Sequence, residues 1–261
     1  MSAIEPGIRG REPLAKAALV QFLRESGCID RTTAIAAELA VAKQARRADL
    51  AVIGERVHFF EVKSRSDTLA RLDGQLAAYE TTGEMVTVAA ASRHINAILS
   101  RVGEHVGVLE IVEFGGQTGV RSVRDASLSP NWNLASALQL LPASEIRTRL
   151  LDGVPLRRRA DLMARAAELP KGRVRAQVVQ FLKSRYLPTT KLFLRRVQRR
   201  EVRADDLATL RVWLQRSTPV RPQVRAEQLS PSPETDCQRY LFHVGKSFGP
   251  VPEDVQQLLA G

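Results

Sequence analysis

The sequence predicts a mixed α/β fold, in which a mixed sheet is flanked by helices and followed by a basic, all-helical region. Two observations support this prediction. Helical and strand-like hydrophobic patterns alternate over the first 115 residues, whereas only helical patterns are found from Trp132 to Arg216. The length of 261 residues is sufficient for one large domain or two small ones.

The first region begins with a helix and a β-hairpin. A helix is predicted over residues 13–25, where apolar side chains recur on one stripe. Residues 49–53 and 57–63 are rich in β-branched and aromatic side chains and flank a short turn at residues 54–56, which is typical of a hairpin. The elements predicted after the hairpin alternate in type: a helix over 68–81, a strand over 85–91, a helix over 93–101 and a strand over 106–114.

The net charge of +11 is distributed unevenly along the chain. Residues 1–141 hold 16 basic and 16 acidic side chains, residues 142–225 hold 21 and 7, and residues 226–261 hold 2 and 5. A concentrated basic segment is typical of a protein that binds a polyanion, because Lys and Arg release counterions from phosphates. Solvated helix faces are the structural alternative. We predict nucleic acid as the partner.

These patterns divide the chain into three parts. Residues 1–115 are predicted to form the α/β domain, and residues 116–216 a basic helical domain that binds nucleic acid. Residues 217–261 contain a proline-rich linker and an acidic tail.

Several protein classes are excluded by composition. The longest apolar run, Met85 to Ala91, has seven residues, whereas a membrane span needs about 20. The first ten residues lack the apolar core of a secretory signal. Cys28 and Cys237 are too far apart in sequence to indicate a zinc or redox motif. We expect a cytoplasmic protein with no membrane partner.

The hairpin carries the residues that suggest chemistry. If Ile53 pairs with Val57, Asp49 lies opposite Glu61, and both share a face with Lys63. Two opposed carboxylates repel each other unless a cation lies between them. Mg²⁺ or Mn²⁺ would resolve this conflict, because such hard cations take carboxylate oxygens together with water and phosphate oxygens. The structural alternative is a surface hairpin in which Lys63 simply neutralises the pair.

Asp49 followed by Glu61-Val62-Lys63 resembles the core motif of the PD-(D/E)XK nuclease superfamily, with Ala48 where the motif has proline. Gln75 and Tyr79 on the following helix resemble the QxxxY element of RecB-type members, in which both side chains line the site. The resemblance implies a restriction-endonuclease-like sheet. It also implies a magnesium-dependent nuclease whose catalytic residues are the following: Asp49, Glu61, Lys63, Gln75 and Tyr79.

The stretches at residues 45–53, 61–64, 67–72 and 75–79, together with Leu182 to Pro188, are also similar to a sce-named family of bacterial and prophage proteins. The nuclease superfamily often carries a further glutamate on or near the first helix, for which Glu12, Glu25 and Glu38 are candidates. The resemblance to the sce-named family favours Glu38 as the third metal ligand beside Asp49 and Glu61, and a surface salt bridge is the structural alternative for each candidate. Helix propensity predicts a helix over 33–45 because that segment contains six alanines. The superfamily topology instead requires a strand there, and we predict the strand.

Two arginine clusters are predicted to contact phosphates, which would provide affinity without base specificity. The first precedes a predicted helix, and the second would share one face of a helix at spacings i, i+1, i+4 and i+5. The clusters are Arg157, Arg158 and Arg159, and Arg195, Arg196, Arg199 and Arg200.

The sequence thus predicts a metal-dependent nuclease that hydrolyses DNA phosphodiester bonds. Two alternatives stay open. One is a non-catalytic nucleic-acid-binding or phage assembly protein on the same scaffold, and the other is an RNA-cutting toxin or antiphage effector. The presence of all five motif residues favours the enzyme, because a binding module has no need of the complete set.

Overall fold

The computed structural model describes residues 11–41, 45–115 and 117–211. Within these ranges the chain forms one six-stranded sheet in the order β1-β2-β3-β4-β5-β6. Its strands are β1 (Ala34–Val41), β2 (Arg46–Ile53), β3 (Val57–Lys63), β4 (Met85–Ala91), β5 (Gly107–Phe114) and β6 (Gln117–Arg124). Strand β4 pairs in parallel with both β3 and β5, and the other neighbours pair antiparallel. The predicted mixed α/β fold is confirmed.

Helices cover both faces of this sheet. The helices are α1 (Arg11–Glu25), α2 (Leu72–Thr82), α3 (Ile95–Leu99), α4 (Leu134–Ala137), α5 (Ala143–Glu145), α6 (Arg159–Ala167), α7 (Lys171–Arg196) and α8 (Ala208–Arg211). Short 3₁₀ turns lie at Ser92–His94, Leu138–Leu140 and Ala204–Leu207, and a π-helical turn lies at Ile146–Leu150. Because alternate strand residues point to opposite faces, the sheet supports two apolar clusters.

The two clusters separate the helices into two groups. On one face, Phe59 and Val88 pack with α2, with α3 and with the helices from α4 to the middle of α7. On the other face, Phe60 and Val62 pack with α1, the end of α7 and the segment that leads into α8. Helix α7 therefore contributes to both clusters. It also covers the edge strand β1, where the Thr190 hydroxyl accepts a hydrogen bond from the Ile35 backbone N–H at 2.8 Å.

The structure corrects the predicted organisation in one place. Residues 117–124 form β6, an edge strand of the sheet, although the sequence suggested only helical structure after the β5 region. The boundary predicted after residue 115 therefore falls in the β5–β6 turn. Strand β6 escaped prediction because most of its residues are exposed, so its apolar alternation is weak. The predicted linker and tail at 217–261 lie outside the described residues.

Residues 34–41 form a strand, as predicted, although their composition favours a helix. Strand pairing with β2 and packing against α7 override the helix propensity of the alanines. In the part of the chain that the structure describes, no helix is long and apolar enough to cross a membrane.

Candidate functional site

The candidate site lies where β2 and β3 separate. The two strands pair in the predicted register, with Ile53 opposite Val57, and their ladder ends at Leu50 and Phe60. Asp49 and Glu61, the next two residues, are not a ladder pair. Instead the Val62 backbone N–H donates a hydrogen bond to Asp49 Oδ2 at 2.7 Å. The Asp49 side chain thus accepts a hydrogen bond from a backbone N–H of β3 beyond the end of the ladder. On its other side, β3 pairs with the parallel strand β4.

Three of the predicted catalytic residues meet around the carboxylate of a fourth, Glu61, whose side chain is only 3% exposed. Lys63 Nζ donates hydrogen bonds to Glu61 Oε1 at 2.6 Å and to Gln75 Oε1 at 2.9 Å. The Gln75 amide donates to Glu61 Oε1 at 2.6 Å, and the Tyr79 hydroxyl lies 3.0 Å from Glu61 Oε2. The i, i+4 spacing on α2 brings Gln75 and Tyr79 to the same carboxylate.

The Tyr79 hydroxyl connects this cluster to the start of β2. It donates to the Arg47 carbonyl oxygen at 2.6 Å as well as facing Glu61. Burial and the nearby charge of Glu61 raise the pKa of the Tyr79 phenol above its ordinary value. Tyr79 is therefore a neutral donor that holds the Glu61 side chain and the β2 backbone in fixed positions.

Sequence reasoning missed Lys16, which lies on α1 and occupies the other side of the site. Its Nζ lies 2.7 Å from Asp49 Oδ1, 2.8 Å from Glu38 Oε1 and 2.7 Å from Glu12 Oε1. Burial by itself would lower the pKa of Lys16, but the charge of Asp49 and the hydrogen bonds to Asp49, Glu12 and Glu38 together outweigh that effect and raise it. One sequence feature could have identified Lys16 as a site residue. It lies one helical turn after Glu12, on a helix that must cover the sheet that carries the carboxylates.

Glu38 reaches Lys16 through an unusual backbone conformation. Its φ angle of 57° lies in the left-handed region, which a glutamate seldom adopts. Such conformations cost about 1–3 kcal/mol and concentrate at functional sites. The rotation interrupts β1 between Ala37 and Leu39, the residues that still pair with β2.

The carboxylates of the site outnumber its ammonium groups. Burial raises the pKa of Asp49, against the opposing effect of Lys16, and the Glu38 charge raises it further. Burial and the Asp49 charge raise the pKa of Glu61, against the opposing effect of Lys63. Both shifts mean that the ionised carboxylates would gain from an additional cation.

The donor chemistry of Asp49 and Glu61 therefore fits Mg²⁺ or Mn²⁺, since both offer hard carboxylate oxygens. The predicted third ligand, Glu38, shares Lys16 with Asp49. No group of three His, Cys, Asp or Glu side chains with metal-site geometry occurs among the described residues. A divalent ion that uses all three carboxylates would have to displace the Lys16 ammonium.

The predicted phosphate-binding arginines fall into two classes. Arg157, Arg158, Arg195 and Arg199 are exposed. Arg159, Arg196 and Arg200 are engaged in contacts within the fold, although Arg159 and Arg196 are exposed as well. Arg159 donates to the carbonyl oxygens of Leu141 and Gln139 at 2.9 and 3.4 Å.

The buried Asp206 carboxylate holds the other two engaged arginines. Arg196 Nε lies 2.9 Å from Asp206 Oδ1, and Arg200 binds both carboxylate oxygens at 2.7 and 2.8 Å. Moreover, α7 ends at Arg196, so the four arginines from 195 to 200 do not share one helix face as predicted. Val197 is buried against α1 and α8, and the chain turns there.

Comparison with known proteins gives one family. A family model described as Bacteriophage P4 protein cII matches residues 8–211. Protein cII of Enterobacteria phage P4 is 29% identical over 260 residues, which cover 96% of this chain and 98% of the relative. No solved structure matches the chain.

Proposed function

The chain belongs to the bacteriophage P4 protein cII family, and we propose that it is a metal-dependent nuclease that hydrolyses DNA phosphodiester bonds. One observation carries this proposal. Lys63, Gln75 and Tyr79 converge on the buried Glu61 carboxylate beside Asp49. Burying charged groups costs free energy, and a stable fold does not need such groups in its interior. A buried cluster of charged groups therefore favours a chemical role.

Each residue has a definite part in this proposal. Asp49 and Glu61 would hold a divalent ion, which supplies positive charge beside the scissile phosphate. Lys63 places an ammonium group next to the ion site, where it stabilises negative charge that develops on the phosphate oxygens. Gln75 and Tyr79 fix the orientation of Glu61 through their hydrogen bonds. Magnesium and DNA are expectations of this proposal.

Exposed basic residues that are close in sequence to the site residues support a nucleic-acid substrate. Arg46 and Arg47 begin β2, Arg65 follows Lys63 by two residues, and Arg71 precedes α2. All four side chains are exposed, and the Arg47 backbone itself contacts Tyr79. Arginines in such positions neutralise phosphates on either side of a cleaved bond.

Cleavage of linear, circular and single-stranded DNA and of RNA in Mg²⁺ or Mn²⁺ tests the proposal. We expect wild-type protein to cut DNA and Asp49→Asn to lose about 10²-fold or more of that activity. Glu55→Gln is the matched control, because Glu55 is an exposed glutamate in the turn of the same hairpin. Equal cleavage by wild type and Asp49→Asn would contradict the proposed site.

A second candidate is a non-catalytic nucleic-acid-binding phage protein on the same scaffold. It is favoured by Lys16, whose ammonium group already pairs with Asp49 and Glu38. It is also compatible with a family that is named only as a phage protein. Wild-type protein that binds DNA but cleaves none of the substrates in either metal would favour this candidate.

A further inference from the structure

Lys16 has no part in the proposed hydrolysis, yet its ammonium group is the most heavily bonded cation of the site. Three carboxylate oxygens lie within 2.8 Å of Nζ, and the Lys16 side chain is only 9% exposed. Neighbouring Ala15, Ala17, Leu19 and Val20 are buried in the apolar cluster beneath α1. The helix backbone is therefore fixed, and only the lysine side chain has freedom to move.

A small cleft lies beside Lys16. It has room for about one water molecule, and it is lined by Lys16, Glu38, Asp49, Leu207 and Arg211. A lysine side chain has four flexible methylene groups, so Nζ can shift by several ångströms without any movement of α1. Glu12, which is about half exposed, remains available as a partner at the mouth of the site.

We propose that Lys16 is a resident cation of the acidic site and that a divalent metal ion enters by displacing its ammonium group from Asp49 and Glu38. This inference rests on the proposed function, because it concerns the same carboxylates. In the metal-free protein, Lys16 keeps Asp49 and Glu38 together and prevents their repulsion. In the metal-bound protein, Lys16 moves away from these two carboxylates and keeps Glu12 as its partner.

The formal charges are consistent with such an exchange. Asp49, Glu38 and Glu61 contribute three negative charges, and Lys63 contributes one positive charge. Glu12 adds a fourth negative charge and Lys16 a second positive charge, so the metal-free site carries a formal net charge of about −2. When Lys16 leaves together with Glu12, the remaining groups still carry about −2, which a divalent ion neutralises. Lys16 and the metal thus compete for the same oxygen atoms.

Titration calorimetry with Mn²⁺ on the full chain tests this competition. Lys16→Met keeps the length and apolar stem of the side chain but removes its charge. We expect Lys16→Met to bind Mn²⁺ about tenfold more tightly than wild type, or better, because the ion no longer displaces an ammonium group. Lys171→Met is the control, since Lys171 is an exposed lysine at the start of α7. It should bind Mn²⁺ as wild type does.

Thermal unfolding provides a second measurement that does not depend on activity. Without metal, Lys16→Met should unfold at a lower temperature than wild type, because Asp49 and Glu38 lose their partner. Mn²⁺ should raise its unfolding temperature by more than it raises that of wild type. Equal Mn²⁺ affinity, or equal Mn²⁺-induced stabilisation, in wild type and Lys16→Met would overturn the inference.

DNA cleavage measured on the same samples separates the two proposals. If Lys16→Met binds Mn²⁺ more tightly than wild type and neither protein cuts DNA, the exchange is supported and the nuclease proposal fails. If wild type cuts DNA and both proteins bind Mn²⁺ equally, the nuclease proposal stands and the exchange is refuted.

Discussion

The arginines between residues 195 and 200 should divide into a pair that binds nucleic acid and a pair that stabilises the fold. Arg195 and Arg199 are exposed, whereas Arg196 and Arg200 bind the buried Asp206 carboxylate. Replacing either pair by alanine removes two positive charges. The two double variants therefore have the same net charge, and any difference between them reports local contacts.

The number of exposed arginines sets the expected change in the salt dependence of DNA binding. Each lost phosphate contact on B-DNA reduces the slope of log affinity against log salt by about 0.9. Arg195→Ala with Arg199→Ala should therefore flatten the slope by up to about 1.8. Between 50 and 200 mM salt, a slope change of about 1.8 corresponds to about a 12-fold change in relative affinity. Arg196→Ala with Arg200→Ala should flatten the slope by no more than about 0.9, the value for one phosphate contact, since Arg196 is the more exposed of the two side chains.

Fluorescence anisotropy with a labelled duplex at several salt concentrations gives both slopes, and thermal unfolding gives the stabilities. The Arg196 and Arg200 double variant should unfold at a lower temperature, because among the described residues it leaves the buried Asp206 carboxylate with only the Arg203 backbone N–H. The Arg195 and Arg199 variant should unfold as wild type does. Equal salt slopes and equal unfolding temperatures for the two variants would refute the division.

Three further predictions concern buried polar groups. The contact with Arg200 lowers the pKa of Asp206 from 3.8 to about 2, which corresponds to a stabilisation of about 2 kcal/mol above pH 4. Asp206→Asn should therefore lose about that much unfolding free energy at pH 7 in urea titrations; a loss that did not shrink as the pH falls from 4 toward 2 would contradict this. Tyr79→Phe removes the donor to Glu61 and the Arg47 carbonyl and should cost about 1–3 kcal/mol in the same assay, so unchanged stability would exclude the structural role. Glu84 is buried and accepts hydrogen bonds from Arg56, Arg175 and the Val57 N–H. Glu84→Gln should cost about 1–3 kcal/mol, and an unchanged urea midpoint would show that this contact between α7 and the hairpin is dispensable.

Local patterns in the sequence determined most elements of the sheet. The hairpin register follows from its turn length and alternation, so the pairing of Ile53 with Val57 could be predicted before any tertiary contact was known. The spacing of Gln75 and Tyr79 also places them on one helix face without further information. These features depend on residues that are close in sequence, and their geometry is set by the period of the element.

Only the tertiary structure decided how the charges are partnered. Lys16 and Asp49 are 33 positions apart, and Arg175 and Glu84 are 91 apart, so no local period relates them. The sequence predicted that all four arginines from 195 to 200 contact phosphates, but folding buries Asp206 and assigns Arg196 and Arg200 to it. Sequence alone therefore predicted which residue types the site and the basic surface contain. Which cation neutralises which carboxylate depends on long-range packing and desolvation, and these are properties of the folded chain.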